Sequence, residues 1–229
     1  MKNFQSLEKT ATQSSNHWKI FAIAAAFVIS AVAVAAEPAA QPPKFSGPLK
    51  RVGSVEVDAA TKTVVATGFV EQVFGLLDYL AVGVNGKRYE SLLTLELNPM
   101  DLQTALLLCG AKAGEPMSAR DSGPPSGSPV KMWVAWKTNG TELVVPAESL
   151  IWDHAENKPV PTDWTFTGSV VRDGHFGASD EECFVAVRWD PYAIVNISNG
   201  LGKTYGDVYV NTNAVPASNT AVRVFFQAR

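Results

Sequence analysis

The sequence holds few reactive groups. Its 229 residues include two cysteines and three histidines. Common catalytic signatures are missing: G-x-S-x-G, the P-loop, G-x-G-x-x-G, H-E-x-x-H and C-x-x-C. Cys109 and Cys183 are too few to hold an iron–sulfur cluster, and no cofactor is expected. Charge is sparse and not basic. Residues 1–36 hold three of the 19 Lys and Arg and one of the 22 Asp and Glu, so the rest carries 16 against 21, about −5. That balance, without a basic patch, excludes nucleic acid as an expected partner. There is no internal repeat and no second composition regime to mark another domain.

One long apolar run is present. Lys2, Lys9 and Lys19 precede residues 20–36 (IFAIAAAFVISAVAVAA), which carry no charge and end on Val34-Ala35-Ala36. This pattern reads as a secretory signal cut after Ala36, sending the chain to the periplasm or outside the cell. The alternative is an uncleaved inner-membrane anchor, for which an uncharged run of 17 residues is the lower limit. In that case the segment is the chain's only expected contact with a membrane. Residues 37–50 (EPAAQPPKFSGPLK) read as a Pro-rich linker.

Residues 51–229 read as one domain, mainly β with an α+β character: an antiparallel sheet and a single buried helix. Val, Thr, Phe and Trp recur at short intervals between Gly, Pro, Asn and Asp. Residues 51–58 and 61–70 form two strands around Ala59-Ala60. The second is apolar on both faces, which fits burial on both sides. Asn85-Gly86 predicts a two-residue hairpin joining residues 77–84 to 87–97. Its register sets Arg88 opposite Gly83 and Glu90 opposite Ala81, on one face. Tyr89, Leu93 and Leu95 share the core face. Asn98 and Pro99 then start a helix that Gly110 stops, and its all-round apolarity predicts cover by sheet. Residues 111–129 form a polar loop, either a mobile insertion or a binding loop. A second Asn-Gly turn, Asn139-Gly140, pairs Trp136 with Leu143, Val134 with Val145 and Lys137 with Glu142.

Three groups are candidate sites. Arg88 and Glu90, over the small residues Gly83 and Ala81, could bind a polar ligand or supply a base; an ordinary surface ion pair is the plainer alternative. His175 with Asp180 and Glu181 lies in the acidic turn DGHFGASDEE, which could take a divalent cation or be a solvated tip. Trp133 alternates onto the polar face beside Lys131, where an exposed indole could stack on a sugar ring. Trp136, Trp164 and Trp189 read as core. Cys109 and Cys183 could pair in an oxidising compartment, although their apolar settings favour two buried free thiols.

The order of segments carries a family resemblance. RVGSVEVD (51–58), TKTVVATGFVEQ (61–72), YESLLTLELNPMDLQTALLLCGAKAGEP (89–116), VKMWVAW (130–136), ESLIW (148–152), WTFTGSVV (164–171), FVAV (184–187) and NTNAVPASNTAVRV (211–224) together resemble a YdjY-type domain. The likeness spans about residues 50–228. It implies an exported protein of planctomycete-like bacteria with no assigned biochemical role. Ferredoxin-like relatives have added cysteine clusters that this chain lacks. Relatives often resemble His-Glu where Tyr89-Glu90 stands, and carry another His where Asp101, Leu102 and Gln103 stand, so only Glu90 matches such a pair. The expected function is an exported, non-catalytic binding or assembly module of the cell envelope, its partner an envelope protein or polysaccharide. A carbohydrate-binding module using Trp133, and a metal-dependent or hydrolytic enzyme using Glu90 or the His175 turn, are the alternatives.

Overall fold

A computed structural model describes residues 41–115, 117 and 123–229. The expected leader, residues 1–36, lies outside the described residues. The strands are β1 (Lys50–Val52), β2 (Val55–Asp58), β3 (Thr63–Val70), β4 (Tyr79–Val82), β5 (Ser91–Leu95), β6 (Ser128–Thr138), β7 (Thr141–Pro146) and β8 (Ile151–Asp153). There follow β9 (Lys158–Pro159), β10 (Trp164–Phe166), β11 (Val171–Arg172), β12 (His175–Phe176), β13 (Cys183–Ala186), β14 (Val195–Ile197), β15 (Val208–Val210) and β16 (Ala221–Ala228). Two α-helices accompany them, α1 (Pro99–Leu108) and α2 (Gly177–Glu181).

The main sheet runs β3-β16-β6-β10-β14-β13-β4-β5, and β5 pairs back onto β3, closing an eight-stranded barrel. Closure removes the open edges that an exposed sheet of this size would present. The barrel is mixed rather than purely antiparallel, since β4 runs parallel to β5 and β13 parallel to β14. Alternate residues fill it: Val64 and Ala66 of β3, Met132 and Val134 of β6, and Val224 and Phe226 of β16 belong to one buried cluster. Trp164, Phe166, Val195 and Ile197 complete that layer, and Trp136, Trp164 and Trp189 are core as expected.

Several expectations hold in detail. Asn139 and Gly140 both take positive φ (50° and 78°), and Trp136↔Leu143, Val134↔Val145 and Lys137↔Glu142 are the observed pairs. The Glu142 carboxylate, however, is paired with Arg223 of β16. At α1, the Asn98 side chain accepts from the Met100 N–H at 2.9 Å, with Pro99 at the first position. The polar loop is stapled at its stem by Ala113↔Gly127 and by the Ser128 N–H on the Lys112 carbonyl.

Four expectations change. Residues 51–58 are a hairpin, folded at Gly53 (φ 55°), rather than one strand. α1 is buried on one side only, through Leu102, Ala105 and Leu106, while Met100, Leu107 and Leu108 face solvent. The Asn85-Gly86 hairpin does not form, because β4 and β5 are parallel. The linker is not a free spacer throughout: Phe45 and Leu49 pack on the outer face of the barrel with Val65, Trp133, Ala135 and Phe225.

Candidate functional site

The chain from β4 to β5 must return along β4 before it can pair in parallel, and residues 83–90 make that return. The Gly86 N–H donates to the Gly83 carbonyl (3.1 Å) and the Arg88 N–H to the Gly86 carbonyl (2.8 Å). Arg88–Glu90 then form one 3-10 turn. The Ser91 hydroxyl donates to the Lys87 carbonyl at 2.6 Å. On the far side of β4, β13 pairs antiparallel, and the residue before it, Glu182, reaches over the loop. Its carboxylate accepts the Asn85 N–H and the Asn85 side-chain amide, each at 2.8 Å. Its carbonyl accepts the Gly83 N–H. A Cβ at Gly83 would fall 2.1 Å from Glu182 Oε2, so only glycine permits this approach.

The structure thus joins one member of the expected metal turn to the loop holding Arg88 and Glu90. Glu181 lies 3.7 Å from Lys87 Nζ, and Lys87 stands over the Tyr79 ring. Beneath them the buried Tyr79 hydroxyl donates to the buried Asp190 carboxylate. His175 and Asp180 are exposed, and no group of three or more His, Cys, Asp or Glu among the described residues is placed to hold a metal ion. His175, Asp180 and Glu181, whose carboxylate-rich turn could suit a cation, belong to no such group among the described residues.

Arg88 and Glu90 lie in a 3-10 turn and not on one strand face. Arg88 Nε and Nη2 both lie 2.8 Å from Glu71 Oε2, which also accepts the Thr94 hydroxyl. The guanidinium lies over the Phe69 ring. Gln72 donates to the Arg88 carbonyl, and Asp78 N–H to the Glu90 carbonyl. Tyr89, expected in the core, is 76% exposed, and Val84 of the same loop is 47% exposed. Trp133, expected at the surface, is 2% exposed because Phe45, Leu49 and Val144 pack against its cluster. A ring so covered offers no face to a sugar.

Cys109 and Cys183 are buried free thiols and not a disulfide. Burial, with the Asp190 carboxylate nearby, pushes Cys183 up to about 12, and burial also raises Cys109. Both are therefore protonated at neutral pH and poor nucleophiles. At the start of β10, Glu148 accepts from the Trp164 indole, and burial raises its carboxyl above the ordinary range.

No buried side-chain nitrogen or oxygen among the described residues lacks a partner. What this surface offers is a pinned loop with apolar tips beside matched ion pairs. A family model for the YdjY domain matches residues 55–227. The chain belongs to the YdjY domain family. No curated protein and no solved structure matches it. Within this YdjY domain, sequence reasoning missed Lys87 and Glu182 as anchors of the loop. The Glu181-Glu182 pair just before a buried strand was the available signal, but nothing local ties it to Asn85.

Proposed function

We propose that this YdjY domain is an exported, non-catalytic binding or assembly module of the cell envelope, and that loop 83–90 is its contact surface. One observation carries the reading. Val84 and Tyr89 are held out to solvent on a loop fixed by Glu182, Ser91 and Gln72. An exposed tyrosine on a preorganised backbone loses little entropy on binding, and aromatic residues beside arginine are typical of interface centres. The ion pairs Arg88–Glu71 and Lys87–Glu181 flank it and fit a polar rim. Export rests on residues 1–36, and antiparallel strands predominate around the two parallel pairs.

Photo-crosslinking tests it. A crosslinking residue at position 89, in cells exporting the chain, should give one discrete adduct, and the same residue at Val171, which is also largely exposed, should not. Equal labelling at both positions, or none at 89, would remove the loop as a contact surface.

A further inference from the structure

The outer face of β3, β16 and β6 carries an apolar, aromatic patch covered by the chain's own Pro-rich segment. Residues 41–49 read QPPKFSGPL. Phe45 lies against Phe225 with ring centroids 5.8 Å apart and the planes tilted by 44°, and Leu49 packs with it over Val65, Trp133 and Ala135. Between them Ser46 is read by one carboxylate: its N–H lies 2.7 Å from Asp58 Oδ2 and its hydroxyl 3.0 Å from Oδ1. Asp58 also accepts from the N–H groups of Ala60 and Thr61. That is a carboxylate oriented by its own turn with two bonds left over for an incoming strand. The rest of the segment contributes little, since Gln41, Pro42, Lys44, Gly47 and Pro48 stay exposed.

An aromatic-lined surface under a proline-containing chain, with a fixed polar group reading the backbone, is like the grooves in which peptides are recognised, and here the chain bends over residues 46–48. We propose that this face is a recognition groove for Pro-rich segments in which a large aromatic residue is followed by serine and a bend, and that residues 43–49 occupy it in the resting chain. Being covalently attached, the resident segment competes at an effective concentration in the millimolar range. A partner's segment therefore enters only by displacing it, and displacement uncovers Trp133 and Phe225. The groove adds a partner class to the binding-module reading and rests on that reading, but it uses none of the residues of loop 83–90. Failure here would leave the Tyr89 surface standing, and the reverse.

The test uses a fluorescent peptide of residues 41–50 (QPPKFSGPLK) and anisotropy. The chain carrying Phe45→Ala and Leu49→Ala, shown folded by near-ultraviolet circular dichroism, should bind the peptide saturably. The unaltered chain should bind it at least about a hundredfold more weakly, its groove being occupied. Adding Asp58→Asn to the double variant should weaken binding about tenfold or more, because two charge-assisted bonds are lost. A scrambled peptide should not bind. A folded double variant that ignores the peptide, or takes the scrambled one equally, overturns the proposal. If the double variant does not fold, hydrogen exchange in the unaltered chain decides. Millimolar peptide should speed exchange at the Ser46 amide, and an unchanged rate overturns the proposal.

Discussion

The Asn85 N–H donates to Oε2 of Glu182 and the Asn85 side-chain amide to Oε1 of the same carboxylate, both at 2.8 Å. This contact turns an Asn-Gly dipeptide into part of a crossover between parallel strands. Glu182 itself has φ 48°, a left-handed backbone that costs about 1 kcal/mol or more outside glycine. Glu182→Ala should therefore destabilise by about 1–2 kcal/mol through two lost charge-assisted bonds at a partly solvated site. Glu182→Gly, which loses the same bonds but relieves the backbone, should be the milder change. Urea unfolding of both variants checks this: an alanine variant as stable as the unaltered chain would mean that the carboxylate does not anchor the loop, and one milder than the glycine variant that the backbone at 182 is not strained.

Tyr89 and Leu93 separate the observed crossover from a hairpin. A hairpin would put both on the core face, whereas they are 76% and 0% exposed. Tyr89→Ala should change stability by no more than about 0.5 kcal/mol, as surface substitutions do. Leu93→Ala should cost about 2–5 kcal/mol, as for a fully buried leucine. Chemical denaturation of both variants is the measurement, and comparable losses would restore the hairpin register.

The two Asn-Gly dipeptides show how far the sequence could be read. Asn139-Gly140 formed the expected turn, with the expected register, because the strands it joins pair chiefly with each other at that end. Around Asn85-Gly86 both edges of β4 are claimed, by β13 on one side and by β5 in parallel on the other, and β5 is also drawn to β3. β13 lies far along the chain and β3 before the turn, and alternation within residues 77–97 carries no trace of either. Trp133 teaches the same lesson about cover. Its face was legible from alternation, but the residues that bury it, Phe45 and Leu49, sit in a stretch whose prolines read as a spacer. For α1, cap, proline and glycine stop were all legible, yet composition alone could not say that Leu107 and Leu108 face outward. The candidate residues fared likewise: Glu181 was placed beside the Arg88 loop only by the fold.

Asp58 and Glu148 should tilt the pH dependence of stability in opposite directions. Bonds from Ser46 and then Thr61 outweigh burial and lower Asp58 to about 2 from 3.8. A lowered carboxyl contributes stability above its unfolded value, lost as pH falls through the folded one, so Asp58→Asn should flatten the decline between about pH 4 and 2. Glu148 is raised, chiefly by burial. Its charged form is disfavoured by folding, so the native state is relatively better below its ordinary value of 4.5 and loses stability as pH rises through the folded one. Glu148→Gln keeps an acceptor for the Trp164 indole and should therefore gain on the unaltered chain from pH 5 to 8, with the gain vanishing near pH 4. Thermal unfolding across pH checks both, and a Glu148→Gln difference that grows toward acid would reverse the assignment.

Cys183 supplies a chemical clock for opening of the barrel wall at β13. With the thiol at about 12, about one group in ten thousand is ionised at pH 8, and only the thiolate attacks a disulfide reagent. The side chain is also fully buried against Tyr79, Val82, Ala186 and Ala193. Cys109, in the separate main core cluster, is buried as well. Native chain should therefore show no fast-reacting thiol toward an aromatic disulfide reagent, and two equivalents should appear on unfolding in guanidinium without any reductant. Labelling at Cys183 in native buffer should follow local opening, and Glu182→Ala should speed it, since Gly83 and Asn85 are tied to the residue that leads into β13. The Cys109 rate should not change, because it lies in a buried cluster separate from that of Cys183. Two thiols that stay unreactive after unfolding without reductant would instead show that they had paired. Equal acceleration at both would mean that Glu182 supports the whole barrel rather than the loop.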